Sequence, residues 1–305
     1  MSSTFTLLLK GVRWQNLLIV LFGLSISHFL LVQPINKALG LQPNLDLMGF
    51  MLLVLSVLFI MAGGNVINDY YDIETDRENN RFNLVSLIGK SKTLLIYNTL
   101  SITGLIYGFW LCYRMDALFL WSVHLGAVLL LFWYSNRLKS MPLAGNITIA
   151  FLCGIIPLLP VLMEDKSVEH LFHPAYFILS FLALLAFLTT LIRELVKDME
   201  DMKGDEKSGV YTLPVVLGLA TSKSLAVIFF SMQILLLLSV IVFMISDDLF
   251  SILFLSVGLF IPSTLLLIKL VKAHKAVDFH TISTGLKGLI IIGLSYGIVY
   301  KFMYL

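Results

Sequence analysis

Two short stretches of the sequence place acidic and amide side chains at intervals typical of one face of a helix. The first stretch, GGNVINDYYDIETDRENN, runs from Gly63 to Asn80 and follows the apolar run FMLLVLSVLFIMA. At 100° per residue, the polar side chains that share a stripe about 100° wide are Asn65, Asn68, Asp69, Asp72 and Asp76. Glu74 falls on the opposite side, so the sequence predicts a helix end with one acidic face.

The second stretch, RELVKDMEDMKGDEKSG, begins at Arg193. The carboxylates that share one helix face here are Glu194, Asp198, Asp201 and Asp205. The last of them joins this face only if the helix continues past Gly204. The side chains that we expect to point elsewhere are Lys197, Glu200 and Lys203.

Several carboxylates on one face repel one another near a low-dielectric core unless a cation neutralises them. Oxygen donors without a nearby Cys or His favour Mg²⁺ or Ca²⁺ over Zn²⁺. Magnesium keeps coordination positions for water and substrate phosphate, so two such faces opposite each other predict a metal-bridged diphosphate site. An EF-hand calcium loop is excluded for DIETDRENN, because Arg77 stands where that loop needs glycine. For either stretch alone, a charged helix end exposed to solvent would explain the acidic residues without a metal. Two stretches, each with its carboxylates on one helix face, argue against that explanation.

The rest of the chain predicts the elements that position these residues. Of the 305 residues, 58% are hydrophobic and 13% are charged, and the mean hydropathy of +0.93 lies above the range of soluble domains. We therefore expect an all-α, polytopic membrane helical bundle that forms a single domain over residues 1–305. The apolar runs long enough to cross a bilayer as helices have their centres near Gly23, Val57, Tyr107, Val128, Cys153, Ala183, Leu236, Leu259 and Ile292.

The basic residues are divided unequally between the two sides of the membrane. When connections are assigned alternately to the two sides, one side receives only four of the 21 Lys and Arg residues, namely Lys37, Arg114, Lys166 and Lys301. By the positive-inside rule the other side is cytoplasmic, and it carries both acidic connections, near residues 68–92 and 193–222. We expect a multi-pass protein of the plasma membrane. The net charge of +2 gives no indication of a nucleic-acid partner.

Further residues near the acidic stretches could contact a substrate. Arg137 and Lys139 lie at the cytoplasmic end of the fourth span, where cations could hold a phosphate, and positive-inside anchoring explains them equally well. Tyr71 and Tyr134 could face a carbocation, and an interfacial aromatic belt is the alternative for both. The full set of candidate substrate-binding residues is Asn65, Asp69, Tyr71, Arg81, Tyr134, Arg137, Lys139, Arg193 and Lys197.

At these residues the sequence resembles the UbiA superfamily of intramembrane prenyltransferases. The first family motif is similar to N-D-x-x-D-x-x-x-D from Asn68 to Asp76, and the second is similar to D-x-x-D-x-x-x-D from Asp198 to Asp205. The segment YSNRLKSMPLAGN is similar to the family's segment after the fourth span. Within the family, IRELVKDMEDMKGDEKSGVYTLPVVLG most resembles the ether-lipid branch, which prenylates geranylgeranylglycerol phosphate. One departure is that no Arg-Pro pair follows the first motif.

The resemblance implies transfer of a polyprenyl group from its diphosphate to a lipophilic acceptor. The acceptor that it favours is a prenylglycerol phosphate of the ether-lipid type. An aromatic acceptor, as in quinone biosynthesis, is the alternative. The resemblance implies two Mg²⁺ ions held by Asn68, Asp72, Asp76, Asp198, Asp201 and Asp205. The residues expected to carry the catalysis are Asp72, Asp76, Asp198 and Asp201.

Two other classes of membrane protein fit the sequence less well. A CDP-alcohol phosphotransferase also uses clustered aspartates and a divalent metal, but its signature begins with Asp-Gly, a dipeptide that this chain lacks. An ion-coupled transporter would carry acidic residues near the middle of its spans. Here the acidic residues cluster at helix ends on one side. The prenyl chain length, the acceptor and the oligomeric state are left open by the sequence.

Overall fold

The computed structural model describes residues 4–79, 81–164, 173–244 and 248–305, and Lys166 lies outside them. These residues form helices and connections without a β-strand. As predicted, nine helices in the described part of the chain are long and apolar enough to cross a membrane. They are α1 (Trp14–Ala38), α2 (Leu47–Tyr71), α3 (Lys90–Arg114), α4 (Leu118–Asn136), α5 (Ala144–Glu164), α6 (Pro174–Lys207), α7 (Leu213–Phe243), α8 (Leu249–Lys272) and α9 (Ala276–Tyr304).

Helices α2 and α3 pack closely because glycines of α3 face α2. A Cβ at Gly104 would come within 2.7 Å of Ile60 Cγ1 and 3.0 Å of the Ile60 backbone nitrogen. A Cβ at Gly108 would come within 2.9 Å of Ser56 Oγ, and this hydroxyl donates a hydrogen bond to the Gly104 carbonyl. Small residues at this spacing let two membrane helices approach closely. The pair therefore fixes α2, whose end carries the first acidic stretch.

The buried apolar side chains form two clusters. One cluster joins α1 to α5 through residues such as Leu24, Leu53 and Leu111. The other joins α6 to α9 and the second half of α1, and it includes Phe230 and Leu286. Helix α6 packs against α5, α7 and α9, so it lies between the two halves of the bundle. This central position brings the acidic end of α6 next to the connection that follows α2.

Three short helices lie beside the nine long ones. Thr4–Gly11 precedes α1, while Ile73–Glu78 and Val85–Ile88 lie in the connection between α2 and α3. The side chains of Lys207 and Glu78 form an ion pair at 3.8 Å, which joins the end of α6 to that connection. Both acidic stretches therefore lie at the same end of the bundle, as the alternation of connections predicted.

Candidate active site

The first acidic stretch bends where α2 ends. Its last helical residue is Tyr71, Asp72 leaves the helical conformation with φ −93° and ψ 13°, and the short helix Ile73–Glu78 follows. The Asn68 side chain donates a hydrogen bond to Asp72 Oδ2 at 2.5 Å. The other oxygen of this carboxylate forms an ion pair with Lys139. Asp72 is thus held between an amide and an ammonium group at the end of α2.

Asp69 is buried and holds neighbouring chain segments together. Its Oδ2 accepts a hydrogen bond from the Leu84 backbone N–H at 3.0 Å, and its Oδ1 lies 3.4 Å from Nη2 of Arg13. Its backbone carbonyl accepts a hydrogen bond from the Asn83 side chain at 2.7 Å. The sequence predicted a substrate-binding carboxylate here. Although Asp69 borders the cavity described below, its oxygens are already used to order the first connection and the segment before α1.

Asn65 and Asp76 are also held by nearby chain segments. The Asn65 side chain donates a hydrogen bond to the Val12 carbonyl at 2.9 Å, which fixes the segment before α1. Asp76 Oδ2 accepts a hydrogen bond from Asn83 Nδ2 at 2.7 Å. Burial raises the pKa of the Asp76 carboxyl above its usual range, and the hydrogen bond from Asn83 opposes part of that rise. A cation beside Asp76 would favour the ionised carboxylate.

The second acidic stretch keeps one face because α6 continues to Lys207. Gly204 lies inside this helix, where glycine costs about 1 kcal/mol relative to alanine. A Cβ at Gly204 would overlap the side-chain amide of Asn79 in the first connection. A larger residue at position 204 would therefore force the Asn79 side chain to move. Beyond it, Asp205 remains on the helix and accepts a hydrogen bond from the Thr212 hydroxyl at 3.2 Å.

Two carboxylates of α6 contact residues from distant parts of the chain. Asp198 Oδ2 accepts a hydrogen bond from Asn146 Nδ2, at the start of α5, at 2.7 Å. Asp201 Oδ1 accepts a hydrogen bond from Nη2 of Arg81 at 2.5 Å, and the two side chains form an ion pair. Arg81 belongs to the first connection, so this ion pair joins the two acidic stretches directly.

The two acidic stretches border one cavity of about 1000 Å³. The predicted metal-binding residues all line it: Asn68, Asp72, Asp76, Asp198, Asp201 and Asp205. Farther from the connections the lining becomes apolar, with residues such as Val20, Val57, Leu131, Ile155 and Leu294. The cavity therefore has a charged rim at one end of the bundle and an apolar interior between the helices.

The donor chemistry of this rim fits magnesium bound together with a phosphate ligand. In the described residues, no group of three or more His, Cys, Asp or Glu side chains converges as a complete metal site. Protein Mg²⁺ sites commonly use only one or two carboxylates, and waters and substrate phosphates complete the shell. The rim offers oxygen donors on two sides, and Lys139 and Arg81 neutralise two of the carboxylates, Asp72 and Asp201.

The other predicted substrate-binding residues divide into two groups. Those that line the cavity are Asn65, Asp69, Arg81, Tyr134, Lys139, Arg193 and Lys197. Tyr71 and Arg137 are not among the described residues that line it. Tyr71 is 37% exposed and packs edge-on against Phe132 of α4, because it lies on a different face of α2 from Asp72. Arg137 is exposed because the chain turns away at the end of α4.

Several polar lining residues were not singled out by the sequence. Glu200 was expected to point away from the site, but it lines the cavity and lies 3.0 Å from His280 Nδ1 and 3.7 Å from Arg81. The cavity wraps farther around α6 than one acidic stripe, because the first connection and α9 both approach this helix. Other charged or amide residues of this kind include Arg13, Asn146 and Lys287. In the sequence these residues look like positive-inside anchors or the start of a helix. Only the tertiary contacts identify them as residues that line the cavity.

The fold and this cavity define a class of membrane-embedded helical proteins with two facing acidic segments. The model of the UbiA prenyltransferase family matches residues 35–283, so the chain belongs to this family.

Curated relatives from archaea resemble the chain over part of its length. The digeranylgeranylglyceryl phosphate synthase of Thermococcus sibiricus is 34% identical over 179 residues, which is 58% of this chain and 60% of the relative. The digeranylgeranylglyceryl phosphate synthase of Pyrococcus horikoshii is 35% identical over 181 residues, again 58% of this chain and 60% of the relative. The match thus spans less than two thirds of the length of these relatives.

Solved structures resemble the chain over nearly its whole length. A structure described as digeranylgeranylglyceryl phosphate synthase in membranes has a TM-score of 0.67 and 24% identity, and the match covers 97% of this chain and 98% of the other. A UbiA homologue from Archaeoglobus fulgidus, bound to DMAPP and Mg²⁺, has a TM-score of 0.57 and 17% identity, with 97% and 99% covered. At these identities the matches show the shared fold, and they confirm the multi-pass helical bundle.

Proposed function

We propose that this protein transfers a polyprenyl group from polyprenyl diphosphate to a lipophilic acceptor, with magnesium as the cofactor. The observation that carries the proposal is one cavity that combines a charged rim with an apolar interior. Such a cavity suits a substrate with a diphosphate at one end and a hydrocarbon chain at the other. Membership in the UbiA prenyltransferase family supports the same reaction and favours an enzyme over an ion-coupled transporter.

In the proposed reaction the bond between C1 of the prenyl group and the diphosphate oxygen breaks, and the electron pair leaves with the diphosphate. Magnesium ions, two in our proposal, would neutralise this leaving group. Their protein ligands would be Asn68, Asp72, Asp76, Asp198, Asp201 and Asp205. Lys139 and Arg81 stand beside these carboxylates, where they can also contact diphosphate oxygens. The magnesium-bound homologue from Archaeoglobus fulgidus supports the choice of metal.

The interior of the cavity protects the reacting carbon from water. Apolar side chains from six helices surround the space below the rim, so an allylic cation formed there meets few water molecules. Tyr134 lines the cavity and can present its ring to the cation. The acceptor hydroxyl then forms the new C–O bond to C1, and its proton passes to the departing diphosphate.

The acceptor that we favour is a prenylglycerol phosphate. The relatives named digeranylgeranylglyceryl phosphate synthase support this choice. Seven Lys and Arg side chains line the cavity, and ion pairs among the described residues involve four of them, Arg13, Arg81, Lys139 and Arg193. The others support binding of a second phosphorylated substrate. We further propose that the rim faces the cytoplasm and that the protein resides in the plasma membrane, because most basic residues lie on the side of the rim.

The test is to incubate the purified protein with Mg²⁺, labelled prenyl diphosphates of several lengths and a panel of acceptors. The panel contains geranylgeranylglycerol phosphate, 4-hydroxybenzoate and 1,4-dihydroxy-2-naphthoate, and products are identified by mass. We expect a prenyl ether of the glycerol phosphate. Product from the aromatic acids alone would leave the metal mechanism in place and overturn the acceptor. No prenylated product with any acceptor would overturn the proposed activity.

A further inference from the structure

Lys287 lies in a membrane-spanning helix and faces the cavity. One side of α9 lines the cavity along its length, and the lining residues are His280, Ser283, Thr284, Lys287, Ile290 and Leu294. The spacing of three and four residues shows a single helix face. This face is polar from the rim as far as Lys287 and apolar beyond it. A lysine at the end of the polar part of a cavity wall indicates a functional site.

The contacts between α6 and α9 place Lys287 opposite Arg193. Near the rim, His280 of α9 lies 3.0 Å from Glu200 of α6. Deeper in the bundle, Gly293 of α9 packs against Leu185 of α6. The two helices therefore run in opposite directions, and both Lys287 and Arg193 lie between these two contacts. Both residues are seven positions from the contact near the rim, which is about 10 Å along a helix.

The charge of Lys287 is not balanced by an ion pair in the described residues. Arg193 Nη1 forms an ion pair with Glu194 Oε1 at 2.6 Å. No carboxylate in this part of the chain pairs with Lys287, and the cation of Arg193 is near enough to repel it. An ammonium group without an ion pair, beside another cation and at the point where the cavity wall becomes apolar, is unfavourable unless an anion binds there.

Lys287 and Arg193 lie at the depth in the cavity where the acceptor should meet the reacting carbon of the donor. The diphosphate is held at the rim, so C1 of the prenyl group lies on the interior side of the rim. The acceptor hydroxyl must approach C1 at that depth. In a prenylglycerol phosphate the free hydroxyl and the phosphate are on adjacent carbons of the glycerol, so the acceptor phosphate also lies below the rim. Lys287 and Arg193 are the cations that line the cavity at this depth from opposite helices.

We infer that Lys287, together with Arg193, binds the phosphate monoester of the acceptor and thereby positions the acceptor hydroxyl beside C1 of the donor. This inference rests on the proposed prenylglycerol phosphate acceptor. Ser283 and Thr284 lie one turn nearer the rim on the same face of α9, and their hydroxyls can donate hydrogen bonds to the same phosphate. Efficient transfer therefore requires a phosphate on the acceptor, because an acceptor without it leaves the ammonium group of Lys287 without an anion.

The experiment compares the wild type with the variants Lys287→Met and Lys287→Arg, with Lys269→Met as the control. Lys269 is an exposed lysine near the end of α8 and does not line the cavity. We expect Lys287→Met to raise the KM for geranylgeranylglycerol phosphate by about tenfold or more, since charge-assisted hydrogen bonds are lost. The KM for the prenyl diphosphate should change less than about twofold. Lys287→Arg should recover most of the acceptor affinity, and Lys269→Met should behave as the wild type.

A second measurement separates binding from folding. Geranylgeranylglycerol phosphate without the donor should raise the unfolding temperature of the wild type but not that of Lys287→Met. Prenyl diphosphate with Mg²⁺ should raise the unfolding temperature of both proteins equally. An equal rise of KM for both substrates, or an unchanged KM for the acceptor, would overturn the role of Lys287 and leave the proposed function intact. A wild type that prenylates only aromatic acids would overturn both the acceptor and this site.

Discussion

Arg81 and Asp201 are 120 residues apart in the sequence, and their side chains meet at 2.5 Å. Arg81 follows the first acidic stretch, and Asp201 belongs to the second. The ion pair therefore joins the two halves of the proposed metal site. In the proposed reaction a diphosphate with its metal ions would compete for both partners, because the metal would bind the carboxylate and the phosphate oxygens would attract the guanidinium group.

Replacement of Arg81 should therefore affect catalysis more than stability. We expect Arg81→Gln to lower kcat/KM by about tenfold or more, because a charge-assisted contact to the diphosphate is lost. Arg77→Gln is the matched control, since Arg77 is exposed and lies in the same connection. Steady-state kinetics with varied prenyl diphosphate measures both variants. Equal activity of the two variants would exclude Arg81 from donor binding.

Removal of single carboxylates should distinguish metal ligands from bystanders. Asp72→Asn and Asp198→Asn should each lower kcat by about 100-fold or more, because the leaving diphosphate is then poorly neutralised. Glu74→Gln is the control, because Glu74 is exposed and does not line the cavity. Its activity should remain within about threefold of the wild type. Similar losses in all three variants would contradict the assignment of the acidic faces.

Divalent metal should be required for the reaction. EDTA should abolish product formation and added Mg²⁺ should restore it, because carboxylates without a metal repel a diphosphate. The measurement is product formation across a Mg²⁺ titration after chelation. The control is a thermal unfolding curve in EDTA, which shows whether the protein stays folded without the metal. Full turnover in excess chelator would exclude the metal site.

Asp69 should contribute chiefly to structure. Asp69→Ala leaves the buried Leu84 N–H without its acceptor, which costs about 1–3 kcal/mol of unfolding free energy. We expect a lower unfolding temperature and faster proteolysis in residues 81–88, whereas Asp72→Ala should retain the stability of the wild type. An Asp69→Ala protein that unfolds like the wild type but lacks activity would show a direct role in the reaction.

The close approach of α2 and α3 can be tested with a single methyl group. Gly104→Ala should destabilise the bundle, because its Cβ would lie 3.0 Å from backbone atoms of both Ile60 and Ser56. The matched control is Gly288→Ala in α9, where a Cβ would meet nothing within 4 Å. That variant should be neutral or slightly stabilised, since alanine favours a helix interior. Thermal unfolding in detergent compares the two, and equal stability would contradict tight packing at Gly104.

The sequence predicted the nine membrane helices because each apolar run is long enough to cross a bilayer, and this signal does not depend on tertiary contacts. It also predicted that six ligand-type residues would line one cavity, because the helical spacing of each stretch determines its face. Both patterns are local, and the second stretch keeps its helix as far as Lys207. The first stretch instead bends at Asp72, so Asp76 reaches the cavity from the short helix Ile73–Glu78 and not from α2. The helix continues through Gly204, where the Asn79 side chain packs against it.

The remaining site residues depend on contacts between distant segments. Asn146 is positioned by Asp198 of another helix, and Arg13 by Asp69, and neither pairing has a local sequence signal. Lys287 was counted among the cytoplasmic basic residues, but it lies inside α9 and lines the cavity. Tyr71 and Arg137, predicted to contact substrate, do not line the cavity among the described residues. Hydropathy indicates the depth of a residue in the membrane but not the direction of its side chain.

The pairing of Asp72 with Lys139 and of Asp201 with Arg81 makes ligand binding at the rim an exchange of ions. A magnesium ion that binds either carboxylate would compete with the protein cation for it, and a cation released in this way would be available to the diphosphate. Each ligand therefore removes an obstacle to the other, so their affinities are positively coupled, and the coupling is reciprocal. Magnesium alone or prenyl diphosphate alone should bind weakly, whereas the two together should bind cooperatively as a complex.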